Sequence, residues 1–528
     1  MLHTQPFSRS GFWFKVAAAV VITAVADWLI VSQQIVGAIG PLALLWIGGV
    51  VLVRPGLRKD PRALPALAAA GVFALVLADR PGLLAVFLFG LMLGVAVLSA
   101  RVKSGEPVWR WVQRFVVLGF GAVFGPLLDL GRLGRAGRRT GVRLKVLSLL
   151  GLVVVPLAGG AIFLTLFASA NPIIQRVVEQ IRLPHLAPDL GVHIVFWGAV
   201  LAATGATFRP RWRRRLIGLP SLRGAGVPGP AAATITLSLV VFNAVFALQN
   251  GLDLVFLWSG APLPDGVTLA EYAHRGAYPL VVTALLAAAF VLIALRPGSE
   301  TARRPLVRGL VTVWVGQNLL LVASSILRTA DYVEAYGLTR FRLAAMIWMV
   351  LVAVGLALIC WRLLKDHDGH WLIDANVKAL LVVLAVVSVV DLSAITAAWN
   401  VRNAREVDGT GAALDLGYLR GLGAPALVSL VELERTTDNP VLRDRLAAVR
   451  VDMIHLLERQ QGDIRSHTWR DARRLEKVRS LLADRPLAPP KAGDRQWDGF
   501  IAPPLMPMPA PPIAVPPVAA PLTNAPGV

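Results

Sequence analysis

Long apolar runs alternate with short polar stretches along residues 12–397. A run of about 20 apolar residues crosses the hydrocarbon core of a bilayer as a helix. Helices suit that solvent because backbone groups in lipid must hydrogen-bond within their own segment. Runs of this kind cover 12–30, 36–53, 64–77, 83–100, 146–166, 192–207, 232–248, 277–295, 310–327, 343–361 and 377–397. They predict an all-α, polytopic transmembrane helix bundle of about 11 spans. Ala24-Val25-Ala26 has the small-x-small pattern of a signal cleavage site, but the first run continues through Trp28, Leu29 and Ile30, which favours a retained span.

Two segments break the pattern. Residues 112–130 are apolar and rich in glycine, with basic residues on both sides, which predicts a surface or re-entrant segment on the cytoplasmic side. After Asn171-Pro172, residues Ile173, Ile174, Val177, Val178 and Ile181 share one helical face opposite Gln175, Arg176, Glu179, Gln180 and Arg182. That spacing predicts an amphipathic helix on the outer face.

Beyond Asn400 the pattern becomes that of a water-soluble chain. Asn439-Pro440 opens a helix with an apolar stripe from Leu442 to Leu457, and an arginine-rich helix covers 464–482. From Pro486 the chain is proline-rich and reads as extended and disordered. The organisation is therefore membrane helices over 1–217, a Gly/Pro linker over 218–230, further membrane helices over 231–397, a small helical extramembrane domain over 398–485, and a disordered tail over 486–528.

Composition agrees: 56% of residues are hydrophobic, 16% are charged, and the mean hydropathy is +0.64. A net charge of +21 would suggest nucleic acid in a soluble protein, yet the excess falls in the loops of the apolar region and no aromatic platform accompanies it. Assigned to loops, 29 Lys and Arg of residues 1–395 fall inside and 7 outside. This asymmetry places the amino terminus in the cytoplasm and the carboxyl terminus outside. Cys360 is the single cysteine, so no internal disulfide forms.

The polar residues that interrupt this scheme are the candidates for chemistry. Four of five tyrosines fall in two outer loops, with Glu271, Tyr272, His274, Arg275 and Tyr278 in one and Arg328, Asp331, Tyr332, Glu334, Tyr336 and Arg340 in the other, a polar hinge over 328–340. Together they predict a polar rim over the outer mouth of the bundle, which as an aromatic belt is also ordinary membrane architecture. Within the spans stand Asp27, Gln317, Asn318 and Asp391. Ionisable groups there are costly and turn to the bundle interior, so each caps, pairs helices or lines a path. A lone His274 makes no metal site, and no phosphate loop, HExxH, GxSxG or dinucleotide fingerprint implies a cofactor.

The strings Asn250-Gly-Leu-Asp253, Glu271-Tyr-Ala-His-Arg-Gly-Ala-Tyr278, Arg328 to Arg340, Ala397-Ala-Trp-Asn-Val401 and Leu414-Asp-Leu-Gly-Tyr-Leu-Arg-Gly-Leu-Gly423 resemble an integral-membrane family, domain of unknown function 4173, near its relative 4153. Asp27-Trp28-Leu29 is similar as well. The resemblance covers most of residues 20–435. It implies a bacterial inner-membrane protein of undetermined activity and brings no catalytic residues.

The sequence-level expectation is a non-enzymatic transport, sensing or assembly component whose partners are the lipid bilayer and a periplasmic or membrane protein. One alternative is a membrane-embedded transferase or hydrolase that uses Glu271, His274 and Asp331 on a lipid-borne substrate. Another is a proton-coupled transporter with Asp27, Gln317, Asn318 and Asp391 on one path.

Overall fold

The computed structural model describes residues 9–30, 37–100, 102, 105–137, 190–210, 232–259, 304–365 and 367–501. Among these the only β feature is an isolated bridge, and helices make the fold. The apolar runs become α1 (Arg9–Ile30), α2 (Ile39–Val53), α3 (Leu64–Asp79), α4 (Leu83–Ser99), α6 (Leu190–Phe208), α7 (Ala232–Asp253), α8 (Pro305–Tyr336), α9 (Arg340–Lys365) and α10 (Gly369–Val389). Among the described residues four helices are long and apolar enough to cross a membrane, α7 to α10. Shorter apolar helices form at Ile39–Val53, Leu64–Asp79, Leu83–Ser99 and Val192–Phe208. The expected spans over 146–166 and 277–295, and the amphipathic helix after Asn171, lie outside the described residues.

Three apolar cores result. The first joins α1 to α4 with α6 around Ile22, Leu42, Leu77, Leu88 and Phe208. The second joins α7, α8 and α9 around Leu239, Trp314 and Leu356. Helix α10 belongs to both, since Leu372 is buried in the second while Leu381 and Leu384 pack on the first. The third core unites α11 (Leu392–Arg402), α13 (Leu416–Leu422), α14 (Ala424–Thr436), α15 (Pro440–Gly462) and α16 (Trp469–Asp484), with the single turn α12 (Arg405–Asp408) at its edge.

Local chemistry sets the helix ends. Arg54 and Arg62 donate to Val97 O and Val102 O at 3.1 Å each, placing cations at the carboxyl end of α4, where the helix dipole favours them. Asn439 caps α15 with Pro440 in the first turn, as its sequence predicts. Thr468 caps α16.

Five expectations change. Of the surface or re-entrant segment expected over 112–130, the re-entrant form gives way to one continuous helix, α5 (Val108–Gly137), packed on α6. Its basic flank is partly neutralised, because the buried Arg114 is held by Glu106 at 2.6 Å. Helix α7 does not end at 248: it runs to Asp253 and continues as a π turn, Leu254–Trp258. Helix α8 continues through the supposed hinge to Tyr336 and stops at Gly337, whose φ of +80° favours glycine. The expected span over 377–397 breaks at Val390 and Asp391, where Asp391 accepts from the amides of Ser393 and Ala394 and starts α11.

Finally, residues 486–501 lie folded on α13 to α15. Prolines leave carbonyls without a matching N–H, and arginines serve the carbonyls here: Arg450 bonds Ala488 O, Arg420 bonds Trp497 O and Arg445 bonds Asp498 O. The rest of the proline-rich tail lies outside the described residues.

Arg450 also holds Glu434, which is 1% exposed, at 2.8 and 3.2 Å. Removing one partner of a buried pair leaves an uncompensated charge and costs about 3–5 kcal/mol. Arg450→Met is therefore expected to lower the unfolding midpoint steeply in denaturant titrations. Adding Glu434→Leu to it should recover most of the loss.

Candidate functional site

Helices α7 and α8 run parallel and meet along a polar seam. Asn243 Nδ2 donates to Leu310 O at 3.1 Å and Asn250 Nδ2 to Gln317 O at 3.2 Å, both across 67 residues. Asn243 and Asn250 stand seven apart, two turns of helix, so they repeat the same contact on one face. Between them Gln317 Nε2 donates to Asn243 Oδ1 at 2.9 Å, and Trp314 packs its ring on Phe242 and Phe246. At the far end Arg328 pairs with Asp253, to which Gln249 also donates at 3.0 Å. Trp258 donates to Ser324 Oγ at 3.1 Å beside them.

The seam is sealed. Asp253 is 0%, Asn318 2%, Asn250 4% and Arg328 6% exposed. Four acceptor oxygens within it receive no hydrogen bond among the described residues: Asn250 Oδ1, Asp253 Oδ2, Gln317 Oε1 and Asn318 Oδ1. Buried acceptors left without a donor are uncommon in folded proteins.

The residues singled out from sequence fall in several places. Gln317 and Asn318 lie in the seam, and so does Arg328, which faces inward instead of joining a rim. Asp331 is half-buried one turn on, and Glu334 is exposed. Tyr332 and Tyr336 pack at 4.7 Å under Arg342, whose guanidinium lies 4.3 Å from the Tyr332 ring centre. The amide of Arg340 donates to Tyr418 Oη at 2.9 Å. Glu271, Tyr272, His274 and Arg275 lie outside the described residues. Asp27 meets His193 of α6 at 2.5 Å in the first core, well apart from Gln317 and Asn318 in the second.

Asp391 lies in a further cluster, where α16 docks on the ends of α3 and α10. Arg80 reaches its carboxylate at 3.2 Å and Arg470 at 3.7 Å, and Arg474 bonds it as well. Asp79 receives Arg470 at 2.5 Å and also Arg473. Arg470 further donates to Val389 O at 3.0 Å. The turn before α16 closes on Gly37, where a Cβ would stand 2.7 Å from Arg465 O, and Arg465 covers the Trp28 ring at 4.6 Å. Burial pushes the Asp391 carboxyl up, but Arg80 and Arg474 outweigh it and hold the group below its ordinary value.

Sequence reading passed over Asn243, Asn250, Asp253, His193 and the arginines of α16. A signal existed for the first three, which share one face of an apolar helix. It was lost because the helix seemed to end at 248. Among the described residues no three His, Cys, Asp or Glu side chains are placed to hold a metal ion.

Two outcomes follow. Asp253→Ala or Arg328→Ala alone should cost about 3–5 kcal/mol in unfolding free energy, and the pair Asp253→Leu with Arg328→Met should restore most of it. A depressed native pKa means that Asp391 stabilises the joint above the ordinary carboxyl pKa of ~3.9 and stops doing so as pH falls through its lower native value. Asp391→Asn should thus lower the melting midpoint at pH 7, and the gap from the parent protein should narrow as the pH falls below the ordinary carboxyl value.

No curated protein and no solved structure matches the chain significantly. A family profile described as domain of unknown function (DUF4153) matches residues 63–433, a span that holds α3 to α5, the seam, both tyrosines of the hinge and Asp391 but leaves out α1 and α16. Of the two related families that the sequence resembles, the match falls on the second, and the chain belongs to the DUF4153 family.

Proposed function

We propose that this chain is a multi-pass protein of a bacterial inner membrane, with about 11 crossings, its amino terminus in the cytoplasm and its carboxyl terminus in the periplasm. It works without catalysis, as a sensing or assembly component that meets its partner through helices α11 to α16. The observation that carries this reading is the joint at Asp79 and Asp391, which fastens a water-facing layer to the membrane helices through three arginines of α16. The opposite end of the bundle carries Arg54, Arg58, Lys59, Arg62, Arg304, Arg308, Arg362 and Lys365, a basic surplus that favours the cytoplasmic leaflet. Tyr332 and Tyr336 lie on the joint's side, where Tyr418 and Asn400 of the layer bind the α8–α9 turn.

A reporter active only in the periplasm, fused after Asn403, should give signal, and silence would reverse the orientation. In a strain lacking the protein, Arg470→Glu with Arg474→Glu should fail to complement, whereas Glu271→Gln and Asp331→Asn should complement fully. Loss of function in Glu271→Gln, with the joint variant active, would transfer the reading to a transferase or hydrolase.

A further inference from the structure

Helices α1, α2 and α6 meet at Gly49, where a Cβ would stand 3.0 Å from Ile22 Cδ1 and 3.4 Å from Phe208 Cζ. Trp46 fastens the same place by donating to Thr207 Oγ1 at 3.1 Å. Asp27 near the end of α1 meets His193 near the start of α6, so α1 runs opposite to α6. From the level of Gly49, each helix therefore brings one cation toward the end of the bundle that holds the basic turn Pro55–Lys59. Lys15 lies seven residues before Ile22 and Arg54 five after Gly49, ~10 and ~8 Å along their helices at about 1.5 Å per residue, and Arg209 directly follows Phe208.

All three cations are half-buried. Among the described residues the charges that act on Lys15 are Arg209 and Arg54, and no carboxylate joins them. Within residues 9–62 the carboxylates are Asp27, at the far end of α1, and Asp60, which accepts from the amide of Arg62 at 2.9 Å. Arg54 is fixed where it stands by its bond to Val97 O. Like charges gathered where water is scarce repel one another, and an anion placed among them removes that cost.

We propose that Lys15, Arg54 and Arg209 hold the phosphate of an anionic phospholipid headgroup. Guanidinium forks match phosphate oxygens in pairs, and an ammonium adds a compact charge on a flexible stem. Basic pockets between membrane helices recognise lipid headgroups in this way. Lipid rather than free phosphate is the source, because Phe14 and Leu52, close to the cations along α1 and α2, are exposed apolar side chains suited to acyl chains. The site rests on the membrane reading of these helices and is independent of the partner assigned to α11 to α16.

The test uses the full chain in nanodiscs of phosphatidylcholine, alone or with rising phosphatidylglycerol at one ionic strength, with melting midpoints recorded. A ligand that binds only the folded state raises stability by RT ln(1 + [L]/Kd). Phosphatidylglycerol is expected to raise the midpoint saturably, and equal midpoints at every content would overturn the proposal. Lys15→Met with Arg209→Gln removes two of the three charges and should weaken the apparent affinity for phosphatidylglycerol about tenfold or more. In phosphatidylcholine alone this double variant should melt at or above the parent, since the crowding of cations is relieved. Side chains needed only for the fold would instead make it melt lower in every lipid alike, which would also overturn the site. Arg58→Gln with Lys59→Gln, both exposed on the neighbouring turn, should keep the full response. An equal loss in the two double variants would mean diffuse attraction to a charged surface and no site. A rise given by inorganic phosphate in phosphatidylcholine alone would overturn the lipid as its ligand in favour of a soluble anion.

Discussion

Polar groups inside an apolar bundle are best answered by other groups of the same protein, and the pairing of α7 with α8 does this for the amide nitrogens of Asn243, Asn250, Gln317 and Asn318. Helix α8 carries Gln317, Asn318, Ser324, Ser325 and Arg328 and still packs as a core helix, because their polar atoms turn toward α7 or back onto their own helix. The recurrence of the Asn243 and Asn250 contacts at one offset fixes the register. Sliding either helix by one residue would break both bonds and leave Arg328 without Asp253. A seam of this kind contributes little net stability through any single bond, since burying charge costs nearly what pairing it returns. Its physical effect is to exclude other registers, and that is why the rest of the second core can pack around α8.

The three cores are joined at few points, each a specific one. Helix α10 carries apolar contacts from the second core to the first, and its break at Asp391 turns the chain into the third. Asn400 of α11 then binds both the amide and the carbonyl of Leu338, at 2.7 and 2.8 Å, in the short turn between α8 and α9. The hinge residues that looked like a free loop are thus divided: Arg328 belongs to the seam, while Leu338 and Arg340 belong to the layer above. Movement of α11 to α16 would reach α8 through that turn.

Much of this was legible along the chain. Apolar period and length gave the helical class, Asn439-Pro440 gave the start of α15, and Asp391 near a span end gave a cap. What escaped was partner choice. Polar residues in apolar runs were read as ends of helices because Asn250, Asp253 and Arg328 are tolerable inside a helix only if something opposite answers them. That something lies 67 to 75 residues away, beyond any local pattern. The same limit hid the joint: α16 reads as a solvated basic helix until Asp79 and Asp391 are placed under it. The rim divided for a related reason, since side of the membrane is readable from charge whereas depth and facing are not.

Arg470 and Asp79 are 391 positions apart, which has a bearing on how the molecule is made. At about 5–20 residues per second of synthesis, the carboxylate of Asp79 emerges ~20–80 s before any guanidinium of α16 exists. Throughout that interval the carboxylate of Asp79 stands at the end of the first core without Arg470 and Arg473, the arginines that hold it in the finished fold. The last of the described helices to leave the ribosome is the one that closes the first core, so a chain cut before Trp469 would keep its apolar helices and still be unfinished.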